Sequence, residues 1–182
     1  MKRTDARKRY TLKVLKESLL RLLKEKPINR ITVKEVCELA ELNRATFYTH
    51  YRDCFHLLEC IESELLNDFE ESLSLVNTVD VTALIEALYD LMDKNEEACR
   101  ALIFDRPGSP VIRQMILLAR EKSIDHWRRE LKKASDTDLE LLYTHLSNGL
   151  MHIVVEGYDR YPKSDVVRFV NRIVQASLAL YR

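Results

Sequence analysis

The chain has 182 residues, 46% of them apolar and 32% charged, which is enough to bury a core and argues against wholesale disorder. Its three glycines and four prolines are few, so an all-α fold is expected and a sheet-rich one is not. The net charge of zero conceals an asymmetry, because residues 1–52 carry +8 and residues 53–182 carry −8. A basic end on an acidic body indicates a polyanion partner at that end, although a solvated basic helix gives the same pattern.

Apolar spacing predicts two helices at the start of the chain. Leucines that recur every three or four residues place the first helix at about residues 5–26, and Pro27 ends it. Thr32 is then followed three residues later by Glu35, which is the pattern of a capping box. A short second helix is therefore expected at about residues 33–40.

Two more helices follow a three-residue turn. Asn43 is a good cap for a third helix at about residues 44–50, and Asp53 can cap a long fourth helix that ends near residue 76. The stretch NTVD at 77–80 is the next break. It separates an N-terminal module from a helical body.

The rest of the chain is predicted to be helical, with breaks supplied by Asn95 and by turn-forming stretches such as DRPGSP and YPKS. This gives about nine helices in all and two domains, a head at 1–52 and a body at 53–182. The five helices after the break at 77–80 are expected at about 81–94, 96–104, 110–133, 138–158 and 164–181.

The third helix has two chemically different faces. With an advance of 100° per residue, Phe47 and Tyr51 fall within about 40° of each other and point inward. The opposite face has hydroxyls, a small apolar side chain, one cation at the helix start and no carboxylate. It consists of Arg44, Ala45, Thr46, Tyr48 and Thr49.

Such a face suits the groove of a nucleic acid. Hydroxyl groups can bind phosphate oxygens, Arg44 can pair with a guanine edge, and Ala45 or the Thr49 methyl can contact a thymine methyl. Two short helices joined by a tight turn form a helix-turn-helix unit. The alternative is an ordinary helical bundle with aromatic core residues, which accounts for Phe47 but not for an outward Tyr48.

The run ITVKEVCELAELNRATFYTHYRDCFHLL resembles the DNA-binding module of the TetR/AcrR-type transcriptional regulators. The resemblance covers about residues 12–58, and TFYTHY is its most specific part. It implies a three-helix DNA-binding head, a helical body that binds an effector and dimerises, and repression by binding of the dimer to a palindromic double-stranded operator.

The resemblance also implies roles for individual residues of the head. The implied base contacts are Arg44, Ala45 and Thr49. Phosphate contacts are implied for Thr32, Lys34, Thr46, Tyr48 and His50. The core of the helix-turn-helix would be Val36, Ala40, Phe47 and Tyr51.

The chain departs from the family pattern at two positions. Glu41 stands where the family has a glycine that tolerates a positive φ, so a reshaped turn is expected. Cys54 stands where the family has a lysine that contacts the DNA backbone, so that contact is expected to be lost. A basic leader could replace it, and each retained phosphate contact adds about one unit to the salt dependence of binding. The leader comprises Lys2, Arg3, Arg7, Lys8 and Arg9.

The last helix is apolar around about half of its circumference, far more than the usual stripe of about 100°. One side can pack within the chain, and the other side calls for a second copy of the chain. The preceding helix shares this surface, and Gly149 allows close approach. The predicted dimer interface is Leu146, Gly149, Leu150, Phe169, Val170, Ile173, Val174 and Leu178. A large monomeric core is the alternative.

A small-molecule pocket is predicted among the body helices, although aromatic and cysteine residues of this kind are more often plain core. The candidate lining is Tyr89, Cys99, Phe104, Trp127 and Tyr143. His145 and His152 are seven residues apart, whereas metal ligands on a helix need closer spacing and a third partner. No metal or cofactor is therefore predicted.

The remaining patterns exclude other classes of protein. No phosphate-binding glycine loop, G-x-S-x-G or H-E-x-x-H motif occurs, so an enzyme is not predicted. No apolar run approaches the roughly 20 residues that span a bilayer. The four cysteines form no C-x-x-C pair, which together with the absence of a signal peptide indicates a cytoplasmic protein.

The sequence thus predicts an all-α, homodimeric, DNA-binding regulator, acting as a repressor that an effector releases from its operator. One rival keeps DNA binding but places control in a protein partner, or makes the protein an activator. A second rival is a helical enzyme or interaction module with an incidental basic head.

Overall fold

A computed structural model describes residues 3–75, 81–104 and 109–182 of the chain, apart from the side chains of residues 3–5 and 75. The predicted break at 77–80, the predicted helix end at 76, most of DRPGSP and the leader residue Lys2 lie outside the described residues. The described residues are helices, turns and short connections without a strand, so the predicted all-α fold is confirmed.

Nine α-helices are present in the described part of the chain, as expected. Several are bounded by local caps or by proline, and a 3₁₀ turn at Ile28–Arg30 separates the first two. The helices are α1 Arg3–Glu25, α2 Val33–Leu39, α3 Arg44–Tyr48, α4 Cys54–Leu75, α5 Val81–Lys94, α6 Glu96–Cys99, α7 Pro110–Glu130, α8 Asp136–Gly157 and α9 Lys163–Ala179.

Several helix boundaries differ from the prediction by a few residues; α7, for example, ends at Glu130 instead of at residue 133. Helix α3 ends at Tyr48, two residues early. Helix α6 is α-helical for four residues and then continues as a π-helical segment at Arg100–Phe104, which apolar spacing did not indicate. Helix α8 begins two residues early, because Ser135 and Asp138 form a reciprocal capping box at its start.

Contacts divide the chain into two compact units. The first contains the described residues up to Leu65 together with the segment 97–104, and the second contains the rest. Helix α4 is continuous across this division. The expected functional boundary at 52/53 is a different kind of division and stays a prediction.

The first unit, called the head below, has its own apolar core. Helix α1 packs on α2, α2 packs on α3, and the π-helical segment also packs on α1. The largest side chains with essentially no exposed surface are Leu15, Leu19, Val36, Phe47, Leu57, Leu65 and Leu102. These apolar residues come from α1, α2, α3, α4 and the π-helical segment, so the short helices α2 and α3 are held by burial rather than by their own propensity.

The second unit, called the body below, is built on three helix pairs: α7 with α8, α5 with α9, and α8 with α9. Its fully buried side chains include Ile85, Val111, Met115, Leu131 and Leu139. No helix among the described residues is long and apolar enough to cross a membrane.

Candidate nucleic-acid interface

Two aromatic rings seal the back of α3 against the head. Phe47 has no exposed surface and Tyr51 is 6% exposed, with 5.8 Å between the ring centroids. The Tyr51 amide donates to the Phe47 carbonyl at 3.0 Å, which extends the helical turn past Tyr48. Burial raises the pKa of the Tyr51 phenol to about 12. Of the other predicted core residues, Val36 is buried and Ala40 is half-buried.

The outer face of α3 is open. Arg44, Ala45, Tyr48 and Thr49 are exposed, and no carboxylate occurs within α3. The Tyr48 side chain is 58% exposed and meets the Phe47 ring edge-on, with 5.6 Å between the centroids. Phe47 thus fixes one side of the exposed Tyr48 ring, and the structure gives the Tyr48 hydroxyl no partner among the described residues.

The threonine hydroxyls on this side of the head already have hydrogen-bond acceptors. Thr46 Oγ1 donates to Asn43 Oδ1 at 3.0 Å, and Thr49 Oγ1 donates to the Thr46 carbonyl at 2.6 Å. Thr32 Oγ1 donates to Glu35 Oε2 at 2.9 Å. A phosphate needs a donated hydrogen, so a phosphate contact from Thr32 or Thr46 requires the hydroxyl to leave its internal acceptor.

The start of α2 is fixed by the predicted capping box. Glu35 N donates to Thr32 Oγ1 at 3.3 Å, and Thr32 N donates to Glu35 Oε2 at 3.0 Å. Lys26 also donates to the Glu35 carboxylate, and these bonds lower the pKa of Glu35 to about 2. The exposed side chain of Lys34 lies 3.6 Å from Glu38, a surface pair worth at most about 1 kcal/mol, so its ammonium is easily released to another anion.

The turn between α2 and α3 keeps the left-handed backbone although glycine is absent. Glu41 has φ 54°, the only positive φ at a non-glycine residue in the described part of the chain. The Glu41 amide donates to the Glu38 carbonyl at 3.3 Å, and the Leu42 amide donates to the Cys37 carbonyl at 2.9 Å. These two bonds form a Schellman motif. The expected reshaping of the turn is therefore absent, and Glu41 bears a strain of the order of 1 kcal/mol.

The start of α4 is capped as predicted, with His56 N donating to Asp53 Oδ1 at 2.8 Å. The Arg52 amide in turn donates to His56 Nδ1 at 3.2 Å. Cys54 is 3% exposed, and burial raises the pKa of its thiol to about 11. This position therefore points into the head, and the neighbouring Phe55, 52% exposed, provides the surface there.

In the body, the predicted dimer residues fall into two groups. Leu146, Val170, Val174 and Leu178 are buried inside the single chain, and Leu150 is half-buried. The other three are exposed. At Gly149, a Cβ added to the backbone would meet nothing within 4 Å. These exposed residues are Gly149, Phe169 and Ile173.

The predicted pocket residues are likewise divided. Trp127 and Tyr143 line one cavity of the body, with ring centroids 6.0 Å apart. Tyr89 is buried next to Tyr158 and does not line that cavity. Cys99 and Phe104 belong to the head unit and are not among the residues that line this cavity. Sequence spacing missed the lining residue Ser147, because a serine within a helix gives no signal of its own.

Comparison with known proteins supports the fold. No model of a protein family matches the chain. The uncharacterized HTH-type transcriptional regulator YxbF of Bacillus subtilis strain 168 is 39% identical over 59 residues, which is 32% of this chain and 14% of that protein. The chain thus matches a small part of this relative's length.

Solved structures are similar over nearly the whole chain. A transcriptional regulator of Syntrophomonas wolfei strain Goettingen, assigned to the TetR family, is 13% identical, covers 94% of this chain and 96% of its own, and has a TM-score of 0.61. The dihydroxyacetone kinase operon activator DhaS is 16% identical, covers 94% and 98%, and has a TM-score of 0.61. At these identities the likeness establishes the fold.

Proposed function

We propose that this chain, which has the fold of the TetR-family transcriptional regulators, is a cytoplasmic, sequence-specific DNA-binding regulator. The observation that carries the proposal is the asymmetry of α3. Phe47 and Tyr51 anchor the helix from behind, while Arg44, Tyr48 and Thr49 stand exposed in front. A short helix with a sealed back and an open, carboxylate-free front fits a major groove.

The side chains of this front divide into positioning and reading groups. Tyr48, Lys34 and His50 are the donors proposed to hold phosphates, since the threonine hydroxyls are engaged internally. Arg44 is proposed to read a guanine edge. The Thr49 methyl is proposed to contact a thymine methyl. The methyl is free to do so because the Thr49 hydroxyl bonds to the Thr46 carbonyl.

The active form is proposed to be a homodimer on a palindromic operator. Phe169 and Ile173 are 53% and 46% exposed on α9, while Val170 and Val174 on the same helix are buried within the chain. A helix with apolar residues on both sides supports a second copy as the partner of the outer side. Two heads would then meet half-sites centred about 34–36 Å apart, or a multiple of that.

Control is proposed to come from an effector that binds the body and favours one of two spacings of the heads, with repression as the default outcome. The effector acts only through its different affinity for the two states. The fold leaves the sign of regulation open to experiment, since DhaS shares it and is an operon activator. Reporter expression with and without the gene decides the sign.

The test is binding of the purified protein to duplex DNA from the region upstream of its own gene, followed by fluorescence anisotropy. Tyr48→Phe should weaken binding to all sequences alike and leave the salt slope unchanged, because a neutral hydroxyl displaces no counterions from the DNA. Thr49→Val keeps the methyl group and should keep the sequence preference. Thr49→Ser loses the methyl and should lose about 1–3 kcal/mol of discrimination at one base step.

The two Thr49 variants and Tyr48→Phe together can also contradict the proposed function. If Thr49→Ser and Thr49→Val bind every sequence as the natural protein does, and Tyr48→Phe leaves affinity unchanged, α3 does not enter the groove and the proposed function is wrong.

A further inference from the structure

The body contains a cavity of about 70 Å³ that is lined by helices α4, α5, α7, α8 and α9. All sixteen lining residues are uncharged. Aliphatic side chains and two methionines make most of the wall, and Trp127 and Tyr143 supply an aromatic corner. An ionised group inside this wall would lose its hydration without gaining a counter-charge, so the cavity rejects ions.

Three hydroxyls lie in the wall, and two of them are engaged. Tyr143 donates to the Ile116 carbonyl at 2.5 Å, and Ser123 Oγ donates to the Ala119 carbonyl at 2.8 Å. Ser147 Oγ is buried and has no hydrogen-bond partner, a condition it shares in the described part of the chain only with the Tyr89 hydroxyl. A buried hydroxyl without a partner is costly, and a ligand that supplies one is favoured.

The size of the cavity limits the ligand. A dry apolar cavity of about 150 Å³ accepts a benzene molecule. The present space is about half of that, so a ring enters only if the wall yields. Met115 and Met151 line the cavity, and methionine adapts its shape more readily than branched side chains. A single ring with a short substituent is therefore the largest ligand we expect, and it enters only when the methionine side chains move.

A second, larger pocket of about 280 Å³ adjoins the first and shares Trp127 and Leu178 with it. Its wall differs chemically, because His126, Glu130 and Arg182 contribute to it. A charged ligand would be placed in this outer pocket rather than in the inner cavity. The charge of a bound molecule therefore distinguishes the two locations.

We propose that the inner cavity binds a neutral, mostly apolar molecule of about one ring whose hydroxyl or carbonyl group pairs with Ser147. The proposal names the class of the effector in the proposed function and rests on that function for its regulatory meaning. The binding itself depends only on the body. Ser147 and Leu150 lie on the inner side of α8, and Gly149 is exposed on the same turn. Occupation of the cavity thus acts on the helix that carries the proposed dimer surface.

The chain supplies its own reporter, because Trp127 is its single tryptophan and it lines the cavity. The experiment titrates the full-length protein, without DNA, with toluene, benzyl alcohol and benzoate, and follows tryptophan fluorescence excited at long wavelength. Toluene and benzyl alcohol should give saturable changes, with benzyl alcohol the tighter ligand. Benzoate should give no change from the inner cavity, so any response to it should come from the outer pocket, which Trp127 also lines.

Two matched variants locate the site. Ser147→Ala removes the unpartnered hydroxyl and should weaken benzyl alcohol about threefold to tenfold while leaving toluene unchanged. His126→Ala changes only the outer pocket and should leave the toluene and benzyl alcohol titrations unchanged, while any benzoate response should weaken. Because Ser147 Oγ makes no hydrogen bond, its removal leaves the fold intact, which circular dichroism verifies.

Two results would overturn the proposal. One is the absence of a saturable change with either neutral ligand. The other is a benzyl alcohol response that His126→Ala abolishes and Ser147→Ala does not affect, which places the neutral ligand in the outer pocket. Neither result bears on the proposed DNA binding. That binding is tested by fluorescence anisotropy of the same protein, independently of this titration.

Discussion

The head and the body reach their structures by different means. In the head, the starts of α2, α3 and α4 are each fixed by a cap whose partner is three residues away, at Thr32, Asn43 and Asp53. In the body, the helices meet through apolar side chains that are far apart in the sequence, and the cavity is what their packing leaves empty. A site that depends on local caps can be predicted from the sequence, whereas a cavity left between packed helices cannot.

The largest expected effect comes from alanine substitutions on the two sides of α3. Phe47→Ala removes a ring with no exposed surface and should cost about 3–5 kcal/mol of the free energy of unfolding. Tyr48→Ala, one residue on, removes a mostly exposed ring and should cost well under about 1 kcal/mol. Urea unfolding followed by circular dichroism measures both. Equal losses would mean that Tyr48 is part of the core.

In the body, the corresponding contrast lies on α9. Ile173→Glu places a carboxylate on the proposed apolar contact between two chains and should convert the dimer to a monomer at micromolar concentration, since a charge buried there would be unpaired. Leu117→Glu on α7 is the matched control, because it makes a similar change on another exposed apolar residue. Light scattering after size-exclusion chromatography reads both variants. A dimeric Ile173→Glu would contradict the proposed interface.

The turn at Glu41 offers a smaller effect that separates strain from charge. Glu41→Gly relieves the left-handed strain but adds freedom to the unfolded chain, so a net gain of up to about 1 kcal/mol is expected. Glu41→Gln keeps the strain and removes the carboxylate. Because each variant removes an exposed negative charge from the turn next to the proposed DNA-binding face, both should bind DNA more tightly and to the same extent. Only the glycine variant should gain appreciably in stability. Thermal unfolding measures the effect on stability, and DNA anisotropy measures the effect on binding.

The smallest expected effect is a pH dependence at the start of α2. The folded-state pKa of Glu35 lies near 2, below the ordinary value of 4.5, so the carboxylate stabilises the fold above about pH 4.5. This contribution is lost as the pH falls toward 2. Glu35→Gln should therefore lower the melting temperature at neutral pH, and the difference from the natural protein should shrink between pH 4.5 and 2. If the difference in melting temperature does not change with pH, it arises from the hydrogen bonds of the cap and not from the charge of Glu35.

The sequence was sufficient for those parts of the structure that neighbouring residues decide. The caps at Thr32 and Asn43 and the inward Phe47 follow from spacing over three or four residues, and the structure places each as expected. The two-sided character of α9 also follows from its pattern, with Val170 inside and Phe169 exposed. Which surface covers the exposed side is decided by a second chain and stays a prediction.

Other features depend on contacts that spacing does not reveal. Cys99 and Phe104 looked like body residues because they follow α5, yet their segment packs on α1, about 80 residues earlier in the chain. Of the five predicted pocket residues, Trp127 and Tyr143 line the body cavity and the other three do not. Glu41 adopts the glycine-like conformation because two backbone hydrogen bonds of the Schellman motif outweigh its local preference.

The π-helical segment at Arg100–Phe104 has a practical consequence for engineering. The head is assembled from two separate stretches of chain, and Leu102, which is 1% exposed, belongs to the later one. A fusion that grafts only residues 1–65 onto a foreign effector module would leave out that leucine and uncover the side of α1 on which its segment packs. A chimera of this protein therefore has to carry both stretches, or to supply a replacement helix in the same place.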